Sequence, residues 1–159
     1  MIHFGLGTTR GAALLLAMFL AVPAPGQTIV ATQDLSFGAF VAGTGGTITI
    51  SPQGMRSAGG DVTLISVGQF SQGSVASLDV TGTPSAAYTI SLPPDNVVTL
   101  TGSQGGSMPI TSFSSSPSGT GQLSPAGSQT LVVGATLVVS NNQAPGTYSG
   151  SFNVTAVFE

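Results

Sequence analysis

Short apolar runs, separated by clusters of Gly, Pro, Ser and Asn, follow one another along residues 27–159 of the chain. None of these runs has the 3.6-residue apolar period of an amphipathic helix. The clearest pattern lies in residues 148–158, where apolar residues at every second position alternate with mostly polar ones. Because successive side chains of a β-strand point to opposite faces of a sheet, this period of two predicts strands with one buried face.

About nine such strands, with turns between them, predict an all-β fold: a β-sandwich of about 7–10 short strands. A β-helix is the alternative, but the chain has no repeat of fixed length. Three polar or glycine-rich stretches interrupt the strand pattern. Residues 43–46 are predicted to form a turn, and residues 51–60 and 112–121 are predicted to form loops.

The N-terminal segment differs from the rest of the chain. Residues 1–10 are polar and mildly basic, residues 11–22 are apolar, and small residues precede Gln27. We therefore expect a signal peptide at residues 1–26, which is cleaved, and a single domain at residues 27–159. A membrane anchor is the alternative, but a span needs about 20 apolar residues and this run is shorter. The expected location is the periplasm, the cell surface or the extracellular medium, with no membrane span in the mature chain.

Charge is scarce in this chain. Only 4% of the residues are charged, whereas an ordinary soluble domain has about 25%. Arg56 is the single basic residue of the expected mature domain, and nucleic-acid binding requires clustered Lys and Arg, so that function is excluded. The chain contains 0 Cys, which rules out a disulfide framework, and 41% of its residues are hydrophobic, which argues against disorder.

The side chains that most active sites require are missing from residues 27–159. The one His of the chain is His3, so the mature domain has no imidazole for a Ser-His-Asp system and no His or Cys ligand for a metal. Asp61, Asp79 and Asp95 are the candidates for a carboxylate pair, but no local motif joins them. We therefore expect no enzyme activity, no cofactor and no metal. Glycoside hydrolysis by two acids and calcium binding stay as alternatives.

Apolar side chains at both ends of the domain are expected to be buried away from water. Burying a large apolar side chain is worth about 1.5–3 kcal/mol, so four of them in residues 148–158 amount to about 6–12 kcal/mol. The last strand of a closed sandwich and a strand covered by another chain both meet this need. The N-terminal segment also alternates, which suits β-strand addition to another subunit. The candidate strand-exchange and partner-binding residues are Ile29, Ala31, Leu35, Phe37, Tyr148, Phe152, Val154, Ala156 and Phe158.

Five segments carry a family resemblance: LSFGAF (35–40), GTITISPQGMRSAGG (46–60), YTISLP (88–93), VTLTG (98–102) and NQAPGTYSGSFNVTAVF (142–158). With these segments the chain resembles the bacterial family called domain of unknown function 4402 over nearly all of its mature part. More distantly, it is similar to spore coat protein U domains and to the subunits of chaperone–usher pili.

The more distant resemblance implies an incomplete immunoglobulin-like β-sandwich, held by a periplasmic chaperone and completed by the N-terminal strand of a neighbouring subunit. It further implies that residues 152–158 form the strand contacted by the chaperone and that residues 29–37 form the donor region. Two features depart from these relatives: no disulfide can form, and only residues 27–34 precede Leu35. The subunit therefore exchanges strands, completes its own fold, or accepts a strand without donating one.

Two functions remain as expectations. The first is a secreted or cell-surface structural subunit of a fimbria-like assembly, which self-associates through its terminal strands and polymerises or aggregates when purified without a partner. The second is a self-contained secreted β-sandwich that binds a glycan or an envelope protein and behaves as a stable monomer. An enzyme that uses Asp61, Asp79 and Asp95 is the third and least supported alternative.

Overall fold

The computed structural model describes residues 12–19, 26–68 and 72–159. Every regular element within these ranges is a β-strand, so the predicted all-β class is confirmed. No helix in the described part of the chain could cross a membrane. The strands are β1 (Ala12–Phe19), β2 (Thr28–Gln33), β3 (Leu35–Ile50), β4 (Arg56–Leu64), β5 (Ala76–Thr81), β6 (Ala87–Ser91), β7 (Thr99–Gly102), β8 (Ser107–Ser116), β9 (Thr120–Gln122), β10 (Ser128–Val139) and β11 (Tyr148–Phe158).

The strands form one hydrogen-bonded path in the order β2-β5-β10-β8-β7-β11-β1-β3-β4, with β6 attached to β11 and β9 attached to β6. Strand pairs in this path are antiparallel except β1 and β11, which run parallel. The long strand β3 pairs with β1 through its first half and with β10 through its second half. In this way β3 closes the strands from β10 to β3 into a ring.

The strands enclose a single hydrophobic core, to which nearly all of them contribute side chains. Its largest completely buried residues lie far apart in sequence, for example Phe37, Leu78, Tyr88, Ile110 and Leu137. Alternate residues of β5, β10 and β11 face this core, as expected for strands with one buried face. A folded sheet around one core agrees with the predicted sandwich, while the finer immunoglobulin-like assignment stays a prediction.

Three stretches that composition assigned to turns or loops contain strand. Residues 43–46 lie within β3, where the pairing with β4 shifts register between Val41 and Gly45. Within this irregularity the amide of Thr44 donates a 2.9 Å hydrogen bond to Oδ2 of Asp61. The β4 strand begins at Arg56, and the Ser-rich residues 112–116 extend β8 along β10. Neighbouring strands supply these backbone hydrogen bonds, so tertiary context overrides the low strand propensity of Gly and Ser.

Candidate functional site: the groove between the first and last strands

The last strand, β11, is buried on one face. Tyr148, Phe152, Val154 and Ala156 are almost completely buried, whereas Ser151 and its outward-facing neighbours are exposed. The ring centroid of Phe152 lies 5.1 Å from that of Phe113, at a tilted angle of 39°. The partly buried Phe158 packs 5.5 Å from Tyr88 at the other end of the strand. The burial follows the alternation seen in the sequence.

The β1 strand lies between β11 and the first half of β3. It runs parallel to β11, pairing Ala13 with Tyr148 and continuing residue by residue to Phe19 with Val154. On its other side it runs antiparallel to β3, pairing Ala12 with Ala39. We call the space between residues 35–39 of β3 and residues 148–154 of β11 the acceptor groove. Within the described chain, β1 is the strand that fills it.

The middle of β11 depends on β1 for its strand pairing. On the side away from β1, β7 pairs only with Tyr148 and Ser149, and β6 pairs only with residues 155–158. Among the described residues, therefore, the five residues from Gly150 to Val154 have β1 as their one strand neighbour. Without β1, this part of β11 would lose all of its ladder hydrogen bonds.

The first half of β3 also depends on β1. Opposite β1, residues 35–39 have an isolated bridge between Ser36 and Ser74 and a 2.9 Å hydrogen bond from the Ile65 amide to the Ala39 carbonyl, and the pairing with β4 begins at Phe40. The guanidinium of Arg56 reinforces this side, because Nη2 donates to the Ala39 carbonyl at 2.7 Å and Nη1 to the Ile65 carbonyl at 3.2 Å. Burial lowers the pKa of Arg56, and its buried Nε has no hydrogen-bond partner in the described part of the chain.

The candidate N-terminal residues do not form one continuous strand. Ile29 and Ala31 lie in β2, where they pair with Val80 and Leu78 of β5, and Ile29 is 5% exposed. Leu35 and Phe37 lie in β3, on the edge of the acceptor groove, and both are completely buried. The chain passes from one strand to the other at Asp34. The four residues therefore belong to two different edges of the domain.

Asp34 is held at this crossing through its backbone. Its carbonyl oxygen accepts a 2.9 Å hydrogen bond from Oγ of Ser74, the residue that also bridges to Ser36. Partial burial raises the pKa of the Asp34 carboxyl above its ordinary value. The preceding residues 28–33 form β2, which pairs with β5 in the domain's own sheet.

An uncharged cavity of about 300 Å³ opens at one end of the acceptor groove, beyond Ala12. One wall is formed by residues 40–42 of β3 and the other by residues 143–146, with Tyr148 at the base. The Tyr148 hydroxyl accepts a 2.7 Å hydrogen bond from Nε2 of Gln143 and donates a 2.6 Å hydrogen bond to the Ala144 carbonyl. These bonds hold the loop that leads into β11.

The acidic side chains make local hydrogen bonds instead of joining in one site. Asp61 accepts from the amide of Thr44, Asp79 from the hydroxyl of Thr130, and Asp95 from the amide of Ser112. The described ranges contain no group of three or more His, Cys, Asp or Glu residues that could hold a metal ion. Each acid thus fastens a loop or a neighbouring strand.

Sequence reasoning missed three parts of this site: β1 itself, the cavity and the hydrogen bonds from Arg56 to the backbone beside β3. Residues 12–19 carry no alternation, since all eight are apolar, so their pattern alone did not indicate a strand. The cavity walls come from segments about a hundred residues apart in sequence, which no local pattern connects. The signal that could have identified Arg56 is that it is the single basic residue of residues 27–159, because a buried cation needs hydrogen-bond partners.

The fold and the site define an all-β domain in which β1 lies between β3 and the last strand, β11, and pairs with both. The chain belongs to the family described as Domain of unknown function (DUF4402), whose model matches residues 28–158. This match confirms the family resemblance seen in the sequence. No curated protein and no solved structure matches the chain. The more distant resemblance to spore coat protein U domains and chaperone–usher pilus subunits stays a prediction.

Proposed function

We propose that this chain is an exported structural subunit of the bacterial envelope, completed by an added β-strand in the acceptor groove. The observation that carries the proposal is the insertion of β1 between β3 and β11. Residues 12–19 belong to the segment expected to be removed as a signal peptide. The exported domain then keeps both edges of the groove and needs another strand between them.

The geometry of the groove supports strand addition. Two edges separated by one missing strand lie about 9–10 Å apart, which is twice the spacing of neighbouring strands. Open edges present unpaired N–H and C=O groups, and proteins normally cover such edges. An extended segment of another polypeptide satisfies these groups through its own backbone, as in other cases of β-strand addition. A periplasmic chaperone and a neighbouring subunit of a fimbria-like assembly are partners that supply such a segment.

A structural role fits the chemistry of the domain better than a catalytic one. Asp61, Asp79 and Asp95 each accept a hydrogen bond from a nearby amide or hydroxyl, which is a sufficient reason for their presence. Enzymes that use two carboxylates need them to converge on one substrate. We therefore propose a non-catalytic subunit that functions at the cell surface, in the periplasm or outside the cell.

The proposal can be tested by replacing one residue of β1 in the full chain. Leu15 is paired with Gly150 on one side and with Leu35 on the other, so Leu15→Pro removes a donor from the centre of the inserted strand. We expect it to lower the free energy of unfolding by about 2 kcal/mol or more and to speed amide exchange in residues 150–154. Thr8→Pro, upstream of β1, is the matched control. Equal stability and equal exchange in both variants would refute the proposal.

A second candidate function, a secreted binding module, is favoured by an open groove on the other side of β11. This groove has a volume of about 650 Å³. Its polar lining consists of neutral groups, among them the side chains of Thr99, Thr101, Ser151, Asn153 and Thr155. Neutral hydroxyl and amide groups match the hydrogen-bonding needs of uncharged oligosaccharides. Calorimetric titration with neutral oligosaccharides tests this function, and a saturable heat that Asn153→Ala reduces would support it.

A further inference from the structure

We infer that the open groove beside β11 is a site for the acetamido group of an N-acetylated amino sugar. The inference rests on the second candidate function, a secreted binding module, and specifies the class of sugar that the module takes. It follows from a gap in the strand pairing of β11, from the apolar loop opposite that gap and from the way in which both ends of the gap are closed.

The gap arises because β6 and β7 follow one line along β11. The pairing with β6 reaches Ser91, which faces Thr155, and the pairing with β7 includes Thr101, which faces Ser149. Both strands run antiparallel to β11, so they continue in the same direction. Between these two pairs, residues 150–154 of β11 lie opposite the longer segment of residues 92–100. The additional residues of that segment leave the ladder as a loop.

The phase of β11 defines which backbone groups face this gap. The Thr147 carbonyl accepts a 2.9 Å hydrogen bond from the Ser103 amide, and the Glu159 amide donates a 3.1 Å hydrogen bond to the Ala87 carbonyl. Both groups therefore point to the side of β6 and β7. Backbone groups two residues apart in a strand point to the same side, and β11 pairs with β1 and with β6 without a register shift.

It follows that the N–H and C=O groups of Ser151 and Asn153 point into the gap. No strand in the described part of the chain pairs with them on this side, and both residues are exposed. A secondary amide complements such an edge, because it offers one N–H and one C=O, as a peptide unit does. N-acetylated amino sugars carry this group, whereas sugars with only hydroxyl and ether oxygens lack it.

The loop opposite the gap supplies apolar contacts for the methyl end of an acetamido group. Leu92, Pro93, Pro94 and Val97 line this side of the groove, and the Val97 side chain is 69% exposed. No charged side chain is found among the described residues that line the groove. Apolar walls with a few convergent polar groups are typical of small-molecule sites, and a volume of about 650 Å³ is within their range.

Hydrogen bonds to β8 hold the loop away from β11. Oδ1 of Asp95 accepts a 2.6 Å bond from the Ser112 amide, the Asn96 amide donates a 2.9 Å bond to the Ile110 carbonyl, and the Ile110 amide donates a 2.9 Å bond to the Val98 carbonyl. Asn96 and Ser112 have φ values of 61° and 51°, a conformation that non-glycine residues adopt rarely. The groove is thus formed before a ligand binds, which reduces the entropic cost of binding.

The closed ends of the gap favour a sugar over a peptide strand. An extended peptide rises about 3.3 Å per residue, so the gap of residues 150–154 has room for about 17 Å of chain. Beyond Ser149 and Thr155 the ladder positions are occupied by β7 and β6. A longer strand would have to leave the sheet at both ends. An acetamido group is a substituent on a sugar ring, so it enters the gap from the solvent side.

The experiment titrates the full chain with two tetrasaccharides in a calorimeter. Chitotetraose contains four N-acetylglucosamine units, and cellotetraose contains four glucose units in the same linkage, so the two probes differ only in acetamido against hydroxyl groups. We expect chitotetraose to bind at least about tenfold more tightly, because it adds two hydrogen bonds and a methyl contact. A tetra-alanine peptide with an acetylated N-terminus and an amidated C-terminus is the third probe, and we expect it to bind more weakly than chitotetraose.

Two valines of equal exposure form a matched pair of variants. Val97→Ser removes the apolar contact of the loop, and we expect it to weaken chitotetraose binding by about threefold or more and cellotetraose binding by less. Val67, which is 70% exposed, does not line the groove, so Val67→Ser should leave both affinities unchanged. Equal losses in the two variants would overturn the assignment of the loop to the acetyl methyl group.

The backbone contact is tested by Ser151→Pro, which removes the amide hydrogen that points into the gap. Because this amide has no partner in a described strand, the change takes no ladder bond from β11. We expect the variant to lose most of the preference for chitotetraose over cellotetraose. An unfolded variant leaves the test to saturation-transfer NMR on the unmodified chain, where the acetyl methyl protons should receive the strongest saturation. Stronger saturation of the ring protons would overturn the inference.

The outcomes separate the inference from the binding function on which it rests. Equal affinities for chitotetraose and cellotetraose overturn the inference and support a module for neutral sugars in general. Tighter binding of the peptide than of chitotetraose overturns the inference and assigns the groove to peptides. The absence of a saturable heat with all three probes refutes both the inference and the binding function. A tenfold preference for chitotetraose that Val97→Ser reduces supports both.

Discussion

The hydroxyl of Tyr148 donates a 2.6 Å hydrogen bond to the carbonyl oxygen of Ala144. This contact joins the start of β11 to the loop that forms one wall of the cavity. The same hydroxyl accepts a 2.7 Å hydrogen bond from Gln143, so a single oxygen atom holds two successive loop residues. The shape of this end of the acceptor groove therefore depends on one phenolic group at the base of the last strand.

We expect Tyr148→Phe to lower the free energy of unfolding by about 1–2 kcal/mol, because it leaves the Ala144 carbonyl and the Gln143 amide without their partner. Tyr88→Phe is the matched control, since it removes a 2.6 Å hydrogen bond to Gln129 at a different place. Denaturant titration measures both losses, and hydrogen exchange localises them. Only Tyr148→Phe is expected to speed exchange in residues 143–147, and similar exchange there in both variants would contradict this role.

Phe152, on the buried face of β11, should be sensitive to truncation. Its side chain is 3% exposed and packs against Phe113, so Phe152→Ala is expected to cost about 3–5 kcal/mol of unfolding free energy. The adjacent Asn153 is exposed, and Asn153→Ala should change stability by less than about 0.5 kcal/mol. Unfolding in urea provides the comparison. Equal effects of the two changes would show that β11 is not oriented as described.

Arg56 should stabilise the first half of β3 through its hydrogen bonds to backbone carbonyls. Arg56→Met keeps most of the aliphatic stem but removes both hydrogen bonds, and we expect a loss of about 1–3 kcal/mol. Arg56→Lys keeps the charge without the forked geometry, so it should rescue only part of that loss. Hydrogen exchange of the Ile65 amide, which donates to Ala39, should accelerate in Arg56→Met. Unchanged exchange of the Ile65 amide would argue against a stabilising role of Arg56 at this end of β3.

Asp34 should make stability depend on pH in the acid range. Burial raises its pKa in the folded state, so between the ordinary and the raised pKa the folded chain binds more protons than the unfolded chain. Its contribution to stability therefore falls as the pH rises through this window and levels off above it. Asp34→Asn removes this component, and denaturant unfolding at a series of pH values compares the two proteins. A curve for Asp34→Asn that retains the same slope would exclude Asp34 as its source.

Much of the fold was predictable because period-two patterns were strong in several strands. Residues 148–158 alternated without interruption and form β11, and the apolar run at residues 131–139 forms most of the central β10. The pattern failed where polar or glycine residues pair with a neighbouring strand. Residues 43–46 pass through β3 because β4 lies beside them, and residues 112–116 are strand because β10 lies beside them. Strand formation at those places depends on long-range partners more than on local composition.

The candidate site was predictable only in part. The nine predicted residues include the buried face of β11 and the two residues of β3 that border the acceptor groove, namely Leu35 and Phe37. Ile29 and Ala31 lie elsewhere, along β5, since the chain crosses from one edge to another at Asp34. In the sequence, Gln33 interrupts the alternation of residues 29–37, but one polar residue was not enough to predict that the chain crosses to another edge there. Whether the nine residues contact a partner stays a prediction.

The sequence by itself determined the class of fold, the face of β11 that is buried and the absence of His, Cys and Lys from residues 27–159. These features depend on local periodicity and on composition, which need no knowledge of neighbours. Only the tertiary structure decided that β1 lies between β3 and β11, that β2 lies on β5 and that a cavity opens beyond Ala12. Pairing partners and registers arise from contacts between distant segments, and many arrangements share the same local pattern.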